Sequence, residues 1–271
     1  MIIRTETYRE LEEDIATICN CEEEYLFETL HDYDVQCRDD ICLDCDKFYG
    51  LLDQFIEKNA DLDLIDEIYI YHLGRHFIQP IELLPLKQLL LSKNSISDFL
   101  ADNEIKFAEE DGQIKFYYKE GLITPDQLMA KRGHSLLARR LGYTDEPDFC
   151  INGFTFWPDI ESTSDGYYDS LRFGPEFIGC IERYLGIGIL REFREKTNYY
   201  GIVFKVPLNE IIFDKASEIK NTKEKARFLV RHSLMTLHGF YFGFALDSNN
   251  PILRINDSSR VKVDHCILIK E

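Results

Sequence analysis

Glu67-Ile68-Tyr69-Ile70-Tyr71-His72-Leu73-Gly74-Arg75 is the most informative segment of this chain. β-Branched and aromatic residues are typical of strands, and the glycine predicts that the strand meets a turn near its end. An apolar stretch that contains Pro85 follows at residues 81–86. Functional groups are favoured where a stiff element meets a loop, so His72 and Arg75 are the first candidates for a functional site.

Helical and strand patterns surround this segment without a regular alternation. Thr7 and Glu10 have the spacing of a capping box, and Asp111-Gly112 is a favoured hairpin pair. Further helices are predicted at 46–59, 124–142, 175–196 (with Gly186 and Gly188 as possible breaks) and 222–237, and strands at 105–108, 113–118, 199–206, 239–246 and 261–269.

This order predicts an α+β fold with a mainly antiparallel sheet and flanking helices. Residues 1–62 are interpreted as a small helical N-terminal subdomain or cap. Residues 63–271 then form the α+β domain.

The amino-acid composition excludes some classes of function. The 271 residues carry 31 basic and 49 acidic side chains, a net charge of −18. Affinity for nucleic acids depends on neutralising phosphates with Lys and Arg, so general nucleic-acid binding is not expected. No apolar run approaches the roughly 20 residues of a membrane span, and residues 1–6 lack a signal-peptide pattern. We therefore expect a cytoplasmic protein without a membrane partner.

The 8 cysteines are expected to be reduced in that compartment. Cys19, Cys21, Cys37, Cys42 and Cys45 could supply a structural zinc site, with Cys42 and Cys45 as a CxxC half. The other half is irregular, so reduced cysteines on helix faces are the favoured interpretation and no metal ligands are assigned. Cys150, Cys180 and Cys266 are expected in the core.

Two charged segments have alternative interpretations. Arg172 precedes Gly174-Pro175, which could open a helix whose first turn binds an anion, but Glu176 in that turn already complements the helix dipole. The densest basic stretch contains Lys131, Arg132, His134, Arg139 and Arg140. It could receive a pyrophosphate or an acidic partner, or it could balance acidic residues of the same chain. It is also the one local basic path that a nucleic-acid-directed transferase would have.

The order of strand, His72 and the Leu84-Pro85-Leu86 segment resembles the first motif of the ADP-ribosyltransferase-like superfamily. A second similarity is Gly153-Phe154-Thr155-Phe156-Trp157, followed by Ser162-Thr163-Ser164 and Tyr167-Tyr168. The family tyrosine that stacks on nicotinamide would fall near Thr155 or Phe156, so this chain departs from the family there.

The resemblance implies that NAD is the substrate and that ADP-ribose is transferred, or NAD hydrolysed. His72 would contact the adenosine ribose, and Tyr168 would stack on nicotinamide, with Tyr117 and Tyr118 as alternatives. An acidic residue near a strand late in the chain would stabilise the oxocarbenium-like transition state. Glu210 is assigned this role, and Asp264 and Glu176 are alternatives. Arg75, Tyr71 and Arg172 are the candidate NAD-binding residues.

The implied cellular role is that of a bacterial toxin or a phage-defence effector with a protein or nucleotide acceptor. No Gly-rich phosphate loop, G-x-S-x-G, H-E-x-x-H or dinucleotide fingerprint is present, which excludes the commonest kinases, hydrolases and dehydrogenases. The alternative is a non-enzymatic, acidic protein-binding module, because 19 Phe and 15 Tyr offer many interface anchors.

Overall fold

The computed structural model describes residues 1–39, 42–131, 135–162, 166–243 and 250–270. Their α-helices are α1 (Tyr8–Ile18), α2 (Glu23–Cys37), α3 (Cys45–Asn59), α4 (Leu86–Leu91), α5 (Ser95–Asp102), α6 (Pro125–Ala130), α7 (Ser135–Arg140), α8 (Trp157–Ser162), α9 (Gly166–Arg172), α10 (Glu176–Leu185), α11 (Ile189–Lys196) and α12 (Thr222–Phe242).

The strands are short except for two of ten residues. They are β1 (Ile2–Ile3), β2 (Glu67–His76), β3 (Glu82–Leu83), β4 (Ile105–Glu110), β5 (Gln113–Tyr118), β6 (Gly121–Ile123), β7 (Asn152–Phe154), β8 (Asn198–Pro207), β9 (Ile212–Phe213), β10 (Ile252–Arg254), β11 (Val261–Lys262) and β12 (His265–Leu268). Two 3-10 turns lie at Leu62–Leu64 and Leu208–Glu210. The predicted α+β fold with mainly antiparallel pairing is confirmed.

The chain forms two compact units from non-contiguous segments. The first unit is Met1–Tyr71, Gly153–Thr163 and Lys205–Arg254, and the second is His72–Asn152, Ser164–Phe204 and Ile255–Glu271. Residues 1–62 fall within the first unit. Among the described residues, none of the helices combines the length and apolarity that a bilayer span requires.

The first unit packs α1, α2, α3 and α12 around an apolar core. Helix α12 buries Leu229, Leu234 and Leu237, and its His238 places Nε2 2.8 Å from Oδ1 of Asp34 on α2. The strands of this unit include β2, which pairs in parallel with β1 and antiparallel with β7, where Tyr71 lies opposite Phe154. Strands β9 and β10 form a further antiparallel pair.

The second unit has its own apolar core beneath a three-stranded antiparallel sheet, β4-β5-β6. Phe116, Ile181 and Phe193 are fully buried there. Strand β2 neighbours β8, which pairs antiparallel with β12 from Val203–His265 to Tyr200–Leu268. Strands β3 and β11 pair in a small separate sheet.

Three sequence expectations differ from the observed elements. Residues 23–37 form helix α2, which was not predicted, because its buried face includes Asp34 and Cys37 as well as leucines. The strand predicted at 239–246 is wrong over its described part: α12 continues to Phe242 and ends at Gly243, which adopts the left-handed conformation that glycine favours. The region 124–142 contains two short helices, α6 and α7, instead of one. The single helix predicted at 175–196 is divided at Gly186, one of the two alternative breaks, into α10 and α11.

Candidate functional site

His72 lies on the second half of β2, where the strand leads into the loop before β3. Its Nδ1 is 2.7 Å from the backbone oxygen of Asn152 at the start of β7. A carbonyl oxygen can only accept, so this contact places the proton on Nδ1 and makes Nε2 the acceptor atom of the neutral ring. The imidazole is therefore held in one orientation and one tautomer.

Gly74 and His76 share the face of β2 that carries His72, because alternate residues of a strand point the same way. A Cβ atom on Gly74 would lie 3.1 Å from Nε2 of His72 and 3.2 Å from Nε2 of His76. The missing side chain is what gives both imidazoles room to converge above the strand.

Burial favours the neutral form of both histidines. Burial lowers the pKa of His72; the hydrogen bond to the Asn152 backbone oxygen opposes this in part, and nearby Arg140 adds to the lowering. Burial lowers the pKa of His76 to about 3. A neutral imidazole can accept a hydrogen bond from a hydroxyl, whereas an imidazolium cannot.

Arg75 lies on the opposite face of β2 and is 3% exposed. Its Nε donates to Thr197 Oγ1 at 3.0 Å, and Nη1 donates to the backbone oxygen of Arg172 at 2.7 Å. Nη2 donates to the backbone oxygens of Arg194 at 3.0 Å and Thr197 at 2.7 Å. The guanidinium thus joins the C-terminal end of α11 to β2. The structure brings Arg75 and Arg172 together through the Arg172 backbone, and the Arg172 side chain is exposed.

Tyr71, in the first unit, is fully buried. Its hydroxyl accepts from Thr5 Oγ1 at 3.3 Å, and its ring lies 5.5 Å from the Trp157 ring, centroid to centroid. Burial raises the pKa of Tyr71 well above its usual value. These contacts give Tyr71 a core position.

The three candidate tyrosines occupy different places in the second unit. Tyr168 on α9 is 7% exposed, and its backbone oxygen accepts from the hydroxyl of Tyr199 at 3.4 Å. Tyr117 is on the hairpin strand β5, and its hydroxyl donates to Glu110 at 2.7 Å. Tyr118 and Tyr184 line a cavity of about 520 Å³ that does not include His72.

The three candidate acids are all exposed. Glu210 belongs to the first unit and ends the 3-10 turn after β8. Asp264 lies between β11 and β12, and its backbone N–H donates to Val203 O at 2.9 Å. Glu176 begins α10, and its Oε2 is 3.4 Å from Nη2 of Arg140.

The basic stretch is tied to groups of its own unit where it is described. Lys131 Nζ lies 4.2 Å from the Tyr184 ring centroid and donates to that residue's backbone oxygen. Arg139 and Arg140 each pair with Asp148 at 3.3 Å. Arg132 and His134 lie outside the described residues, as do Thr163 and Ser164 of the second similarity.

The described cysteines do not form a metal-binding cluster. Cys19 and Cys37 are buried, and burial raises the pKa of Cys19 to about 12. Cys42 and Cys45 are exposed, and Asp39 raises the pKa of Cys42. In the ranges that the structure describes, no group of three or more His, Cys, Asp and Glu side chains could hold a metal ion. Of the other three cysteines, Cys180 is buried, and Cys150 and Cys266 are half-buried.

Sequence reasoning did not identify Asn152 and Gly74 as parts of the site. Gly74 carried a signal, because a small residue between two histidines at alternate strand positions leaves space for both rings. Nothing in the sequence indicated the role of Asn152, because its backbone oxygen contacts His72, which is 80 residues away along the chain. Comparison of the chain with models of known families, with curated proteins and with solved structures found no match.

Proposed function

We propose that this protein binds NAD and transfers its ADP-ribose group to an acceptor, or hydrolyses NAD, with His72 orienting the adenosine ribose. The observation that carries the proposal is the hydrogen bond between His72 Nδ1 and the Asn152 backbone oxygen. It leaves a neutral imidazole with Nε2 ready to accept from a ribose hydroxyl. The resemblance of the β2 segment to the ADP-ribosyltransferase-like superfamily assigns His72 that same role.

In the proposed reaction, the bond between C1′ of the nicotinamide ribose and the nicotinamide nitrogen breaks, and its electron pair leaves with nicotinamide. An acceptor atom or a water oxygen bonds to C1′ and loses its proton to solvent or a base. Tyr168 is proposed to stack on nicotinamide, and an acid of the same unit, Asp264 or Glu176, to stabilise the cationic transition state. Arg172 offers an exposed guanidinium to the diphosphate.

Arg75 and Tyr71 support the proposed site from inside the protein. The Arg75 guanidinium is surrounded by protein oxygens, and the Tyr71 ring packs in the first core. Their role in the proposal is to hold β2 in place while His72 meets the nucleotide. The proposed toxin or phage-defence role follows from the family resemblance.

The test is a calorimetric titration with NAD of the unmodified protein and of His72→Ala, together with an assay for released nicotinamide. His31→Ala is a matched control, because His31 is 54% exposed on α2. A lost hydrogen bond of about 1.5 kcal/mol corresponds to a roughly tenfold weaker affinity for His72→Ala. We expect no change for His31→Ala. Absence of heat with the unmodified protein at millimolar NAD would refute the proposal.

Aromatic side chains on the first unit favour a binding role as a second candidate. Tyr25, Phe27 and Phe240 are 50%, 40% and 53% exposed, and Phe240 stacks on Tyr8 with ring centroids 4.1 Å apart. Exposed aromatic residues are common anchors of protein interfaces. Failure to bind NAD, combined with loss of partner capture in Phe240→Ser but not in the exposed-residue control Ile78→Ser, would support this candidate instead.

A further inference from the structure

The second unit contains an open cavity of about 860 Å³ that does not include His72. Its lining residues come from the end of β2, from α11 and the start of β8, and from the end of β12. Among them are Arg75, Arg191, Arg194, Glu195, Leu268 and Lys270. Four of these side chains are basic and one is acidic, although the whole chain has a net charge of −18.

Arg75 connects the elements at the base of the cavity. The four hydrogen bonds of Arg75 described above end on oxygens of residues 172, 194 and 197. A cation at the C-terminal end of a helix also complements the helix dipole. Arg75 therefore fixes the last turn of α11, and with it the position from which the other arginines extend.

Arg191 and Arg194 lie three residues apart on α11, so their side chains leave the helix on the same side. Arg191 is 88% exposed and pairs with Glu195 at 2.9 Å. The Arg194 guanidinium lies 5.2 Å from the centroid of the Phe173 ring. The planar guanidinium fork matches the geometry of phosphate oxygens, to which it donates two parallel hydrogen bonds.

We propose that this cavity binds a phosphate-bearing small molecule of nucleotide size. The volume is within the range of about 300–1,000 Å³ that is typical of small-molecule sites. Arg191, Arg194 and Lys270 supply the charge, and Leu268 and Ile269 supply an apolar wall.

This cavity is distinct from the His72 side of the proposed NAD site, because it lies on the other face of β2, although the backbone oxygens of Arg172 and Tyr168 accept hydrogen bonds from its lining residues Arg75 and Tyr199. Successive side chains of a strand point to opposite faces, so Arg75 faces away from His72 and His76. The ligand inferred here is therefore additional to the nucleotide that His72 would orient.

The pairing of Arg191 with Glu195 is compatible with ligand binding. Ion pairs between exposed side chains contribute about 0–1 kcal/mol, whereas hydrogen bonds to charged groups contribute about 1.5–3 kcal/mol. A phosphate can therefore replace Glu195 as the partner of Arg191 at little cost.

The test uses inorganic pyrophosphate as the probe, titrated calorimetrically into the full chain at constant ionic strength. We compare the unmodified protein with Arg191→Gln, the double variant Arg191→Gln/Arg194→Gln and Lys270→Gln. Arg9→Gln is the matched control: Arg9 is 86% exposed and pairs with Glu13 at 3.1 Å with the same helical spacing.

We expect about tenfold weaker binding for Arg191→Gln or Lys270→Gln, and a larger loss for the double variant. Arg9→Gln should bind pyrophosphate like the unmodified protein. No binding by the unmodified protein at millimolar pyrophosphate would overturn the proposal. An equal loss in Arg9→Gln would also overturn it, since the effect would then be one of net charge.

His72→Ala separates this inference from the proposed function. It should keep its affinity for pyrophosphate while losing affinity for NAD. If pyrophosphate binding falls in His72→Ala as much as in the double variant, the two sites are not distinct and the inference of an additional ligand fails.

Discussion

Replacing Gly153 by alanine tests how closely β7 approaches β2. A Cβ atom at this position would lie 2.5 Å from Cγ2 of Ile70, 2.8 Å from the backbone oxygen of Tyr71 and 2.9 Å from its carbonyl carbon. Carbon atoms normally approach to about 3.5–4.0 Å. Ile70 could change its rotamer, but the Tyr71 carbonyl can yield only if the strand itself moves.

We expect Gly153→Ala to lower the free energy of unfolding by about 3 kcal/mol, the upper end of the range for overpacking a core. For a chain of this size, 1 kcal/mol shifts the Tm by roughly 2–4 °C, so Gly153→Ala should lower the Tm by about 6–12 °C. Gly50 provides a matched control, because it lies in the interior of α3 and, apart from its chain neighbours and the nearby backbone of that helix, no described heavy atom is within 4 Å of the position that its Cβ atom would take. Gly50→Ala should instead stabilise the protein by about 0.5–1 kcal/mol, since alanine loses less backbone entropy in a helix.

The assay is thermal and urea-induced unfolding of the two variants beside the unmodified protein, followed by circular dichroism. The reasoning predicts shifts of opposite sign for the same Gly-to-Ala change. A Gly153→Ala protein as stable as the unmodified one would show that β7 does not press against the Tyr71 backbone as described.

Three further variants probe the two faces of β2 and a half-buried acid, Asp159. Gly74→Ala should weaken NAD binding about tenfold with a stability cost of about 1 kcal/mol, because its Cβ would displace the imidazoles of His72 and His76; unchanged NAD affinity would contradict this. Arg75→Met should lower the free energy of unfolding by about 3 kcal/mol or more, because three backbone oxygens and the Thr197 hydroxyl lose their donors. Urea unfolding measures the loss, and a variant within about 0.5 kcal/mol of the unmodified protein would refute the structural role. Burial raises the pKa of Asp159 from 3.8 to about 6, so folding favours its protonated form and stability falls as the pH rises through that interval. Asp159→Asn should remove this fall and raise the free energy of unfolding at neutral pH by about 1–3 kcal/mol; an equal gain at acid and neutral pH would point to another cause.

The fold class was predictable because local signals agreed with the final packing. The capping residue Thr7 accepts from the Glu10 N–H, and Asp111-Gly112 connects β4 to β5 as the hairpin pair predicts. The end of α12 was misjudged because the aromatic run of residues 240–242 has strand propensity. Packing against α1 and α2 overrides that propensity and keeps the run helical.

The candidate site was predictable only in part, because its geometry depends on long-range partners. The sequence placed His72 at a strand end, but not the Asn152 oxygen that fixes its tautomer. Arg75 was expected to hold a phosphate, whereas its guanidinium donates to protein oxygens at the end of α11. Residue type alone does not distinguish these roles, since an arginine donates equally well to a phosphate or to backbone oxygens.

The alternation of β2 explains how neighbouring residues can have such different environments. His72, Gly74 and His76 share one face, where the absence of a glycine side chain lets two neutral imidazoles converge. Arg75 faces the other way and anchors the helix whose arginines line the basic cavity. Since a shift of one residue in the register of β2 would exchange the two faces, both proposed sites depend on the same pairing of this strand. The close approach of Gly153 to Tyr71 helps to hold that pairing, which is why a single methyl group at Gly153 is a sharp probe of the whole arrangement.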